Sequence, residues 1–245
     1  MACANLKPVV AIYSTFLQRA YDQLIHDVAL QNLKVIFAID RAGLVGEDGP
    51  THAGSYDLAF LRCIPNMVIM TPSDENELWN LLTTAYYYDG PTAIRYPRGK
   101  ATGCNIIPAS KPLPMGKSII ATNGEKTEIT FLVFGTLLKT VLKIAKELHA
   151  SVINMRFAKP LDKKTIISYA KKSKLIVTIE DGVVMGGAGS GVNEIILQEN
   201  IMVSVLNLGY PDSHIEHASQ DEMNEDCNLS ASKIKKSVIT RLKLL

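Results

Sequence analysis

The sequence predicts an α/β protein built as two tandem doubly wound domains. Short apolar runs alternate with stretches of helical periodicity, the pattern of parallel strands covered by helices. The alternation breaks once, where prolines at 97, 108, 112 and 114 and glycines at 99, 103 and 116 change the texture of the chain. It then resumes. The 245 residues suffice for two domains of ordinary size. The expected division is a first domain over 1–100, a linker over 101–115 and a second domain over 116–245.

Val9-Val10-Ala11-Ile12-Tyr13 reads as the first strand, and Arg19 to Gln31 as a helix, with Ala20, Leu24 and Val28 at helical spacing. The apolar run 35–39 reads as a short buried strand, which opens into a loop ending near Gly54. Tyr56 to Leu61 is a short amphipathic piece, and 67–70 the next strand. Ser73 is the expected N-cap of a helix that runs to about Tyr87, with Asp74, Glu75 and Glu77 complementing its dipole. Asp89-Gly90-Pro91 turns the chain into a strand over 92–96. In the second block, strands are expected at 128–134, 151–155, 174–180 and 203–208. Helices are expected at about 136–149, 162–171, 190–199 and 231–243. An edge strand near 117–121 is expected to turn back through Asn123-Gly124 as a hairpin.

The apolar fraction of 47%, the charged fraction of 20% and a net charge of +2 describe a globular protein without the basic surplus that nucleic acid would call for. No apolar stretch reaches the ~18 residues of a membrane span. Cys3, Cys63, Cys104 and Cys227 lie far apart, which argues against a zinc site or a disulfide framework. Met1 to Lys7 has neither signal-peptide nor transit-peptide character, so the cytoplasm is the expected compartment.

Met185-Gly186-Gly187-Ala188-Gly189-Ser190-Gly191 follows a strand and opens a helix, yet its spacing fits neither a dinucleotide fingerprint nor a P-loop. Close helix–sheet packing is the expected use of these glycines. His214 and His217 lack a third metal ligand, and no metal site is expected. The loop 39–54 holds Arg41, Glu47, Asp48 and His52 at the end of a buried strand, where α/β proteins place their chemistry. Arg19, Arg41 and Arg98 all follow strands of one expected parallel sheet, so their guanidinium groups can meet at one edge. Three such forks suit a small, doubly anionic substrate.

Tyr13 to Gln23, Asp40-Arg41-Ala42-Gly43, Asp48-Gly49-Pro50-Thr51-His52, Thr71 to Glu77, Arg95-Tyr96-Pro97-Arg98-Gly99, Met155 to Asp162 and Gly186 to Glu194 together resemble the 1-deoxy-D-xylulose-5-phosphate synthase family. The resemblance covers nearly the whole chain after about Lys7. It implies a transketolase-like pyrimidine-binding domain, truncated at its amino end, followed by a transketolase carboxyl-terminal domain. It further implies dependence on thiamine diphosphate and Mg²⁺, with pyruvate and D-glyceraldehyde 3-phosphate as substrates. By the same resemblance Phe16 stacks on the cofactor's aminopyrimidine. Tyr13, Arg19, Asp48 and His52 line the cleft as catalytic residues, and Arg41 and Arg98 hold the aldehyde's phosphate.

No Gly-Asp-Gly motif occurs in these 245 residues, and the resemblance places the family's cofactor-activating glutamate before the equivalent of Val9. The resemblance therefore implies that the chain needs a partner chain supplying the diphosphate-binding domain, and that it forms a homodimer. A residual fragment or interaction module that keeps only the fold is the alternative. A β subunit of a 2-oxo acid dehydrogenase, which shares the domain pair, fits the Tyr13–Gln23 and Arg95–Gly99 runs less well.

Overall fold

A computed structural model describes residues 1–109, 111–125 and 128–245. Within the expected linker, Ser110 lies outside the described residues.

In the first half, β1 (Val9–Tyr13) passes directly into helix α1 (Ser14–Leu17). A 3-10 turn over Gln18–Ala20, α2 (Tyr21–Gln23) and a π-helical stretch over Leu24–Ala29 complete one helical run. The helix thus begins five residues before the expected Arg19, and its winding is uneven. Buried Leu24 and Ala29 stand at the wide i→i+5 period, and Leu30 N–H donates to Ile25 O at 2.8 Å in the same pattern. β2 (Ile36–Asp40), α3 (Asp57–Arg62), β3 (Val68–Met70), α4 (Glu75–Tyr87) and β4 (Thr92–Arg95) follow. The N-cap of α4 is Asp74, whose carboxylate accepts from Glu77 N–H at 2.8 Å. Ser73, the expected cap, instead donates its own N–H to Glu77 Oε2 at 2.8 Å.

The second half holds β5 (Ile119–Thr122), β6 (Ile129–Phe134), α5 (Leu138–Leu148), β7 (Ser151–Asn154), β8 (Phe157–Lys159), α6 (Lys163–Ala170), β9 (Leu175–Val183), α7 (Ala188–Gln198), β10 (Ser204–Tyr210), α8 (Gln220–Asp226) and α9 (Ala231–Leu242). The expected hairpin at Asn123-Gly124 does not form, because β7 and β9 occupy both edges of β6 and β5 pairs antiparallel with β7. Gly124 instead lies against the backbone of His149 and Ala150, where a Cβ has no room, and its N–H donates to Ser151 Oγ at 3.0 Å.

Two five-stranded sheets result, ordered β1-β2-β4-β3-β8 and β10-β9-β6-β7-β5. Each is parallel except for one antiparallel edge strand. The strand β8, absent from the expected elements, comes from the second half and completes the first sheet, with Ile69 opposite Lys159. The two halves also share a core. Leu58, Leu61 and Ile69 pack in one cluster with Leu132, Phe134, Ile153, Ile166 and Val192. Each such fully buried side chain contributes roughly 1.5–3 kcal/mol.

Candidate active site

The carboxyl ends of β1 and β2 carry the first group of candidate residues. Tyr13 ends β1, and Phe16 lies within the first turn of α1 that follows it. Their rings stack at 5.4 Å with an interplanar angle of 10°. His52 meets Phe16 edge-on at 5.6 Å. The loop position of His52 is tied down locally: Thr51 Oγ1 lies 2.9 Å from its Nδ1, and Thr15 Oγ1 donates to Thr51 O at 3.1 Å. Arg41 follows β2 in the left-handed region at φ 54°. That backbone turn lays its guanidinium 4.0 Å over the Tyr13 ring, while Nη1 pairs with Asp40 at 2.7 Å. Stacking on an aromatic face and pairing with a carboxylate are the two contacts a planar guanidinium makes best.

A second group sits on the turn Gly46–Asp48. Arg98, beyond β4, pairs through Nε with Asp48 at 3.2 Å and donates from Nη1 to Val45 O at 3.2 Å. Asp48 and His52 are joined by that loop, in which His52 N–H donates to Gly49 O at 3.2 Å. The structure thus brings Tyr13, Phe16, Arg41 and His52 into one cluster and Asp48 and Arg98 into a neighbouring pair. Arg19 is exposed, three residues beyond Phe16. Among the described residues no hydrogen bond or ion pair ties Arg19 to either group.

Behind these residues lies a buried charge network that the sequence reading missed. Arg95 is 3% exposed at the end of β4. Its Nε donates to Asp57 at 3.0 Å, Nη1 pairs with Asp181 and Nη2 donates to Asp181 O at 3.0 Å. Burial alone would lower the pKa of Arg95, but Asp181 and Asp57 override it and hold the guanidinium charged. A charge inside the apolar run Thr92-Ala93-Ile94-Arg95 was the available signal. Its partner on β9 is 86 residues away, beyond the reach of local pattern.

Next to it, burial pushes the Glu180 carboxyl up to about 7, against the opposing pull of the Gly189 and Ala188 amides. Those amides donate at 2.8 and 2.7 Å, so Glu180 caps the amino end of α7 from the neighbouring strand. The glycine run takes its meaning from this contact. A Cβ on Gly187 would run into Glu180, and one on Gly189 would run into Thr178 and Asn207. The run serves close helix–sheet packing, as expected.

Sequence models of two domain families match the chain: "Transketolase, pyrimidine binding domain" over residues 1–102 and "Transketolase, C-terminal domain" over 120–234. The chain belongs to the transketolase family. Among curated relatives of this transketolase-family chain, 1-deoxy-D-xylulose-5-phosphate synthase of Stutzerimonas stutzeri is 55% identical over 245 residues, all of this chain and 38% of that protein. The synthase of Pseudomonas aeruginosa is 56% identical over 242 residues, 99% of this chain and again 38% of that protein. The chain thus spans well under half the length of these relatives, and corresponds to the part that carries the pyrimidine-binding and carboxyl-terminal domains. A solved structure described as a split-gene transketolase in an inactive β4 tetramer superposes with a TM-score of 0.85 at 24% identity, covering 99% of this chain and 78% of that one. Transketolase from Campylobacter jejuni superposes at 0.75 and 20% identity, covering 96% of this chain and 36% of that one. These two likenesses show the fold. Among the described residues, no helix is long and apolar enough to cross a membrane.

Proposed function

We propose that the chain is the pyrimidine-binding and carboxyl-terminal part of a 1-deoxy-D-xylulose-5-phosphate synthase, cytoplasmic and acting with a chain that supplies the diphosphate-binding domain. The reaction condenses pyruvate with D-glyceraldehyde 3-phosphate, toward isoprenoid precursors and thiamine. The observation that carries this reading is 55% identity over the full chain to a synthase of that activity. The proposed units are a pyrimidine-binding domain over 1–100, a linker over 101–115 and a carboxyl-terminal domain over 116–245.

The residues fit the group they would hold. Phe16 is 47% exposed beside Tyr13 and His52, an open aromatic platform suited to a flat heteroaromatic ring. Thiamine diphosphate, when bound, supplies a carbanion-stabilising centre. Around it, His52 holds or moves a proton, with Thr51 fixing its ring. Tyr13, Asp48 and Arg19 line the cleft beside it and position the reacting substrate. Arg41 and Arg98 hold the phosphate of the aldehyde through charge-assisted, bidentate hydrogen bonds. Mg²⁺ and the diphosphate are assigned to no residue of this chain.

The outer edge of the first sheet supports a partner. Val9 is 54% and Val10 37% exposed on β1, although an apolar run of this kind is typical of a strand covered on both faces. Homodimer formation belongs to the same proposal. Calorimetric titration of the chain alone with thiamine diphosphate and Mg²⁺ is expected to show no binding. Mixing it with the amino-terminal portion of the Stutzerimonas synthase is expected to restore both binding and product formation. Tight binding by the chain alone, or no activity from a well-formed complex, would overturn the proposal.

A further inference from the structure

The loop that carries Asp48 and His52 is gripped at its neck and along its outer side. At the neck, Gly43 and Gly54 bridge each other across two backbone hydrogen bonds of 2.8 Å. Beyond that neck the first domain holds the loop through Thr15 on Thr51 and Arg98 on Val45 and Asp48, and the second domain adds a further set of contacts. Tyr210, at the end of β10, is buried, and its hydroxyl accepts from Leu44 N–H at 3.1 Å. The same hydroxyl occupies the space a side chain on Gly43 would take, 2.8 Å from where its Cβ would stand. Just past the neck, Tyr56 Oη lies 3.4 Å from His214 Nδ1.

His217 then lies across the turn itself. A Cβ on Gly49 would stand 3.1 Å from the His217 Cβ and 3.9 Å from its Cγ, and Gly49 is buried between the exposed Glu47 and Pro50. Gly49 also has φ 69°, so glycine there meets both a conformational and a spatial demand. One turn earlier, a Cβ on Gly46 would stand between Arg98 Nη1 at 3.5 Å and Ala218 O at 3.6 Å. The segment after β10 therefore runs along the Gly46–Asp48 turn on the side where Arg98 enters.

We infer that the segment from Tyr210 to His217 of the second domain sets the position of the loop Leu44–His52, with His217 and Tyr210 as positioning residues for the Asp48–Arg98 pair. The second domain is then a working wall of the site. The inference rests on the reading of Arg98 as a phosphate-holding residue only for its kinetic consequence; the mechanical part stands apart from it.

Two variants test it from opposite ends. His217→Gly removes both Cβ and ring from over Gly49, at an exposed position. Tyr210→Phe keeps the buried ring and deletes the hydroxyl that holds Leu44. In the chain alone, each variant is expected to speed hydrogen exchange of the Leu44, Gly49 and His52 amides about tenfold, with protection in β6 and β9 unchanged. In the complex with an amino-terminal portion, each is expected to raise KM for D-glyceraldehyde 3-phosphate about tenfold, and KM for unphosphorylated glyceraldehyde much less. Unchanged loop exchange, or exchange that quickens equally across the second domain, would overturn the inference. If the loop loosens while these variants and Arg98→Ala all leave the aldehyde KM unmoved, the positioning stands and the phosphate reading fails.

Discussion

Arg41 and Arg98 carry the same charge in different settings. Arg98 pairs with Asp48 across a partly open surface, a contact worth about 1 kcal/mol or less that an arriving dianion can replace. Arg41 is more constrained. Its Nε is buried without a hydrogen-bond partner among the described residues, its guanidinium face lies on the Tyr13 ring and Asp40 fixes Nη1. On the proposed function, Arg41→Ala and Arg98→Ala are each expected to raise KM for D-glyceraldehyde 3-phosphate about tenfold or more, the loss of a charge-assisted hydrogen bond. Steady-state kinetics of the reconstituted complex would show it, and wild-type KM in both variants would remove the phosphate assignment. At this scale the site was partly legible. Residues on the loop after β2 stood out because several ionisable types crowd among glycines. Arg95, Asp57 and Asp181 did not, because their meaning lies in partners that only folding brings together.

At the scale of elements, the junction of β9 and α7 has a property that single residues lack. Glu180 closes the amino end of α7 from inside the core, and its carboxyl sits at about 7 against an ordinary 4.5. An acid whose folded pKa is raised binds its proton more tightly when folded. Below about 4.5 both states are protonated and no penalty exists; as pH rises from there to about 7 the folded state alone resists ionisation, and stability falls. Wild-type protein is therefore expected to lose roughly 3 kcal/mol over this window from this one group. Glu180→Gln removes the titration, so denaturant unfolding at pH 5 and pH 8 should differ less in the variant than in the wild type. An equal difference in both would show that Glu180 ionises without cost in the fold. The helices α5, α6, α7 and α9 were legible in the sequence within about two residues, because amphipathic period and capping residues are local signals. The cap of α4 slipped by one residue because Ser73 and Asp74 are both good caps, and only the carboxylate reaches Glu77 N–H. The strand β5 found a different neighbour from the expected one, since pairing depends on which edge is free.

For the molecule as a whole, the cluster joining Leu58 and Ile69 to Phe134 and Val192, the Arg95–Asp181 pair and the β3–β8 ladder all cross between the halves. Two domains bound in this way are expected to unfold together. Differential scanning calorimetry should give one transition whose calorimetric and van't Hoff enthalpies agree; two resolved transitions would mean that the shared core is not cooperative. Along the chain the proline-rich stretch separates two units in tandem, and linear order carries no notice of a strand lent backwards. That loan has a temporal side. During synthesis the ribosome releases the first half well before β8, which pairs with β3 across about 90 residues of intervening chain. Until Lys159 has emerged, the outer edge of β3 is an open template for any other strand, so slow translation through the second half prolongs the interval in which nascent chains can pair wrongly.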